Sequence, residues 1–102
     1  MAISGRFYGV KQGSGEFVCQ ILNDEERMTI EEENGKSYVS NIDGNFITLT
    51  NIFVETPSNT GPSLQRMKDV LMTVNVSAVD LISIIDKDTT IKLKAALSGI
   101  IT

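Results

Sequence analysis

Residues 71–86 read LMTVNVSAVDLISIID, and their apolar positions satisfy two incompatible periods. Ala78, Leu81, Ile82 and Ile85 recur at helical spacing, whereas Val70, Met72, Val74 and Val76 alternate strictly and Ile82 and Ile84 continue that alternation. An amphipathic helix and a half-buried strand place different residues inside, so only one period is real. β-Branching decides between them. Val70, Thr73, Val74, Val76, Val79, Ile82, Ile84 and Ile85 each lose rotamers in a helix and pack well on a pleated surface. A strand is therefore predicted over about 70–76, a tight bend at Ser77-Ala78-Val79-Asp80, and a second strand over about 80–85.

The preceding half of the chain carries the same signature. RFYGV (6–10) is aromatic and extended, and GVKQGSGE (9–16) is a glycine-rich loop without the Gly-Lys-Ser/Thr ending of a phosphate loop. FVCQIL (17–22) reads as a strand buried on both sides, NDEE (23–26) as a polar turn, and RMTIEEE (27–33) as a half-buried strand. Asn34-Gly35 then supplies a type I′ hairpin turn into KSYVSNI (36–42), because both residues tolerate positive φ. A second turn at Asp43-Gly44-Asn45 leads into FITLTNIFVE (46–55), dense in β-branched and aromatic residues. Residues 16–55 are predicted to form an antiparallel meander of about four strands. TPSNTGPS (56–63) is an exposed loop, and SLQRMKD (63–69) is read as a helical turn leading into the next strand. The tail from Thr89 is read as a helix N-capped by Thr89 or Thr90, with an edge strand carrying Lys92 and Lys94 as the alternative.

These elements make one domain of 102 residues, with a barrel over about 16–86 and extensions at 1–15 and 87–102. Hydrophobic residues are 41 % and charged residues 22 %, the balance of a globular chain that can bury a core without metal or disulfides. No apolar run approaches the roughly 18 residues of a membrane span, and no signal peptide is visible, so a cytoplasmic setting without membrane contact is expected. The lone Cys19, within FVCQIL, is expected to be a buried structural thiol.

Composition also limits the chemistry. The chain contains no His, which removes the commonest general base and zinc ligand and rules out Ser-His-Asp and Cys-His mechanisms within one chain. With one Cys and no His, a structural zinc site is excluded as well, and no cofactor is expected. Net charge is −4, with four Lys/Arg against nine Asp/Glu in residues 1–56 and five against four thereafter. An acidic chain disfavours a broad nucleic-acid face, which needs cations to neutralise phosphates. Asp24, Glu25, Glu26 and Glu31 to Glu33 form the densest charge run, but they lack calcium-loop spacing and read as a solvated hairpin end.

YVSNIDGNFITLTNIFVE, followed after a loop by DVLMTVNVSAVDLISIID, resembles the second half of the Sm-like fold, a small bent five-stranded antiparallel barrel of SH3-like type. In that family an Asp-containing turn leads into a long strand, and a fourth strand joins a short fifth through one helical turn. Here Asp43 and Asn45 to Leu49 match the first junction, and Val74, Val76 to Val79, Leu81 and Ile82 match the last two strands. The resemblance implies ring-forming homo-oligomers and RNA binding. The family's basic-Gly motif after the fifth strand is replaced here by Asp86-Lys87-Asp88-Thr89.

The function expected from these readings is a non-enzymatic, homo-oligomeric small-barrel binding or assembly module. Its oligomer edge is expected at Val70, Met72, Val74, Val76, Leu81, Ile82 and Ile84. Its ligand, a protein or small molecule, is expected at Arg6, Phe7, Tyr8 and Tyr38, the aromatic residues best placed for stacking and the arginine beside two of them. An Sm-like RNA-binding protein is the alternative, and a carboxylate- or metal-dependent enzyme is a third reading.

Overall fold

The computed structural model describes residues 5–13, 15–56 and 63–98. Its elements are β1 (Tyr8–Gln12), β2 (Gly15–Ile21), α1 (Asp24–Arg27), β3 (Met28–Glu33), β4 (Lys36–Ile42), β5 (Phe46–Thr56), β6 (Ser63–Arg66), β7 (Met72–Asn75), a 3₁₀ turn (Val76–Ala78), β8 (Leu81–Ile84) and α2 (Lys87–Ser98). The fold is mainly β, a single sheet of eight antiparallel strands that is not closed, with a C-terminal helix. The strands run in the order β3-β4-β8-β1-β2-β5-β6, and β7 pairs with the other half of β5. Among the described residues, no helix is long and apolar enough to cross a membrane.

The two strands expected from LMTVNVSAVDLISIID are β7 and β8, and the bend between them is the 3₁₀ turn. Neither glycine nor proline makes that bend. Asn75 Oδ1 accepts from the backbone N–H of Ser77 at 2.9 Å and from its hydroxyl at 2.8 Å, and Val79 N–H closes the turn on Val76 O at 3.1 Å. Asn34 (φ 53) and Gly35 (φ 76) form the two-residue turn of the β3–β4 hairpin, as their sequence predicts.

Several expectations are corrected. The meander over 16–55 is interrupted, because β2 pairs with β5 rather than with β3. Asn23, in the left-handed region at φ 59, turns the chain away through α1 and sends the β3–β4 hairpin to the far side of the sheet. Residues 8–12, placed ahead of the barrel by sequence, lie mid-sheet between β2 and β8. GVKQGSGE, read as a loop, is mostly strand: Gly9 to Gln12 lie in β1, and Gly15 and Glu16 in β2. Residues 63–66, read as a helical turn, extend along the second half of β5, where ladder pairing overrides local helical spacing. The tail is the helix rather than the edge strand, but its cap is Asp86, whose carboxylate accepts from Thr89 N–H at 3.0 Å.

Two apolar layers use opposite faces of the sheet. The inner face carries Tyr8, Val10, Cys19, Ile21, Ile47, Leu49, Ile52, Val74 and Ile82. The outer face carries Phe7 and Phe53, edge-to-face at 6.1 Å, under Leu93 of α2. Strand β5 serves both layers through a bulge. Its register with β2 passes from Val18↔Phe53 to Gln20↔Thr50, which inserts one extra residue on β5. Asn51 sits there at φ 50, and its amide donates to Gln20 Oε1 at 2.7 Å. The insertion returns Ile52 to the face of Ile47 and Leu49 and leaves Phe53 for the helix. On β1, a Cβ at Gly9 would lie 2.9 Å from Ser83 Oγ of β8, so any larger residue there would have to displace that hydroxyl.

Candidate functional site

Strand β1 separates the four residues expected to bind a ligand. Phe7 points outward and is fully buried under α2, so it is core. Tyr8 points inward with its ring buried, while its hydroxyl reaches Asp24 Oδ2 on α1. Tyr38 lies directly opposite Ser83, which in turn lies opposite Gly9, and this places it on the outer face. Its hydroxyl donates to Glu31 Oε2 at 3.3 Å. Only Arg6 and Tyr8 come together, in a cavity of about 360 Å³ completed by Asp24, Glu25, Met28 and Ile30.

That cavity offers a guanidinium, two carboxylates and a phenol over an apolar rim. Burial, the hydrogen bond to Asp24 and that carboxylate's charge all hold the Tyr8 phenol protonated well above its ordinary range, and Arg6 opposes them only in part. Tyr38 is also raised, chiefly by the charge of Glu31. Burial pushes the Cys19 thiol up to about 12, the opposite of what a nucleophile requires. Among the described residues, no group of three or more His, Cys, Asp or Glu is placed to hold a metal ion.

The sheet edges are a second candidate, and hydrogen-bond alternation shows which backbone groups they present. Val76 N–H donates to Asn45 O at 2.8 Å, so Val76, Val74 and Met72 turn their backbone groups toward β5. Thr73 and Asn75 therefore turn theirs away. Met67 N–H donates to Ile52 O at 2.8 Å, and the same alternation leaves Leu64 and Arg66 facing outward on β6. Among the described residues, no strand pairs with this side of β6 or β7. Leu64, Leu71 and Phe46, all exposed large hydrophobics, lie along it. The other end of the sheet is β3, whose exposed Glu31, Glu32 and Glu33 discourage edge pairing.

Of the seven residues expected at an oligomer edge, Met72 and Val74 lie on a strand with a free side, and Val70 and Val76 flank it. Val74 is buried in the inner core, and Val70, Met72 and Val76 pack against that core, while the backbone groups of Met72, Val74 and Val76 face β5, so the free edge is offered by Thr73 and Asn75 between them. Leu81, Ile82 and Ile84 are corrected. Strand β8 lies between β1 and β4 and is no edge while β4 is in place. The outward groups of Leu64, Arg66, Thr73 and Asn75 were not legible as a site, because strand order rather than residue type creates them.

No protein-family model matches this chain, nor does any curated protein or solved structure.

Proposed function

We propose that this chain is a non-enzymatic binding or assembly module of the small-barrel, Sm-like or SH3-like type, working through the β6–β7 edge. The observation that carries the reading is that free edge. Backbone N–H and C=O groups at Leu64, Arg66, Thr73 and Asn75 face away from β5, beside the exposed Leu64, Leu71 and Phe46. Such an edge is a template for an added strand. A second copy of the chain is the partner, joining edge to edge. The long β5 and the 3₁₀ turn joining β7 to β8 support the small-barrel reading.

Thr73→Pro tests it. The substitution removes an outward N–H while leaving the bonds of Val74 and Val76 to β5 in place. Sedimentation at micromolar concentration is expected to give an oligomer for the natural chain and a smaller species for the variant. A strictly monomeric natural chain would sink the assembly reading.

RNA binding is the second reading, favoured by the same 3₁₀ connector. Against it stand the net charge and Asp86, whose carboxylate is engaged in capping α2. Electrophoretic shifts with oligo-U and oligo-A at low salt decide it, and absence of binding there ends it.

A further inference from the structure

The β3–β4 hairpin joins the rest of the sheet through a single register pair. No residue from Asp24 to Phe46 is fully buried. Met28, Val39 and Ile42 only lean against the inner core. Strand β8 shares four register pairs with β1, Tyr8↔Ile84 to Lys11↔Leu81, but a single pair with β4, Tyr38↔Ser83. Cavities open on both sides of that pair. One, of about 250 Å³, separates Val39 to Ile42 from Val79 to Ile82. The other, of about 540 Å³, separates Gly35 to Ser37 from Ser83 to Asp86.

The stem of the hairpin is firm by comparison. Asp43 N–H donates to Arg27 O at 2.8 Å, and the Arg27 guanidinium donates to Asp43 O at 2.9 Å and also to Phe46 O. The two legs are thereby clipped together where they leave the sheet. Left-handed Asn23 and the Asp43–Asn45 turn mark the bends on either side of the clip. One register pair to β8 and a clipped stem are the arrangement in which a hairpin opens as a unit rather than unravelling.

We propose that this hairpin is a hinged flap over a second docking edge, β8, and that its partner is the same hairpin of a second copy. Because Ile85 N–H donates to Phe7 O at 3.0 Å, alternation turns the backbone groups of Ile82 and Ile84 away from β1 and toward β4. Opening the flap bares those groups beside Leu81, which is already exposed. Residues 36–42 are the segment whose fit to that edge the fold itself demonstrates, so exchange between copies rebuilds between two chains the same β4–β8 pairing that opening breaks within one. This extends assembly to a second edge and does not depend on β6–β7.

Paired cysteines test it. In a Tyr38→Cys, Ser83→Cys double variant, mild oxidation is expected to close an intrachain disulfide, which also shows that the variant folds. In a mixture of the two single variants, a Tyr38→Cys to Ser83→Cys heterodimer is expected to grow with concentration on non-reducing gels. It should persist with Thr73→Pro added, which separates this result from the fate of the β6–β7 edge. Hydrogen exchange of the natural chain should show hairpin amides opening at least about tenfold more often than those of β1 and β2. No heterodimer at any concentration while the double variant closes, or hairpin amides as protected as those of β1, overturns the proposal.

Discussion

Replacing Leu93 by Ala asks whether α2 is part of the fold or an appendage. Leu93 is the helix's buried side chain, 5 % exposed, and it sits on Phe7 and Phe53. Leu-to-Ala changes in cores cost about 2–5 kcal/mol, the amount depending on how far the site relaxes. This cluster is small, and its rim of Val18, Ile85 and Leu97 is only partly buried, so a cost of about 2–3 kcal/mol is expected. With a urea slope of about 1–2 kcal/mol per molar for a small domain, the unfolding midpoint should fall by about 1–2 M. Ile91→Ala is the control. Ile91 is 56 % exposed on the same helix, and its loss should change stability by no more than about 0.5 kcal/mol. Circular dichroism follows the helix, and tyrosine fluorescence follows the inner face through Tyr8. If Leu93→Ala and Ile91→Ala unfold at the same midpoint with equal α2 amide protection, the helix does not hold the outer layer and the two-layer account is wrong.

Three further outcomes follow from particular side chains. Asn51→Val should be less stable than Asn51→Gly by about 1–2 kcal/mol in urea, because a β-branched residue is forced to positive φ; equal stability would remove the bulge. Asp86 is held below its ordinary pKa chiefly by the Thr89 backbone N–H, so its stabilisation is complete above about pH 4 and is lost as pH falls through the lower folded value. Acid titration of helicity should show that step in the natural chain and not in Asp86→Asn, which keeps an acceptor but cannot titrate; identical profiles would refute it. The Cys19 thiol, raised from 9.0 to about 12, should resist iodoacetamide at mildly alkaline pH until the chain unfolds. Its contribution is present below the unfolded value and lost as pH rises toward the folded one, so Cys19→Ala should flatten the alkaline loss of stability. Native labelling at the rate of a free thiol would contradict its burial.

What the sequence made legible was local. The Asn34-Gly35 turn, the alternation along β4, β5 and β7, and the bend after Val76 each depend on residues within a few positions of one another. What it concealed was pairing between distant segments. Nothing in RFYGV says that its neighbours are residues 17–19 on one side and 82–84 on the other. Leu64 and Met67 fit a helix as well as a strand, and β5 decided between them. The cap of α2 was displaced for a related reason. Thr89 and Thr90 are good capping residues, but Asp86 stands three positions ahead of Thr89 and receives its N–H. The candidate site divided in the same way: Phe7 and Tyr8 are adjacent in sequence and serve opposite layers, a consequence of strand geometry that composition cannot express.

The pairing of β1 with β8 has a consequence for how the chain comes to be folded. Gly9 and Ser83, which meet across that ladder, are 74 positions apart. A two-residue hairpin such as β3–β4 closes in about 1–10 μs, whereas a ladder between such distant segments must wait for a much longer loop to close. During synthesis the same separation becomes a delay. The first strand leaves the ribosome 74 residues ahead of its partner. Until residue 84 arrives the backbone groups that β1 turns toward β8, those of Phe7, Gly9 and Lys11, lack their ladder partner, and that interval is when a nascent copy is most open to aggregation.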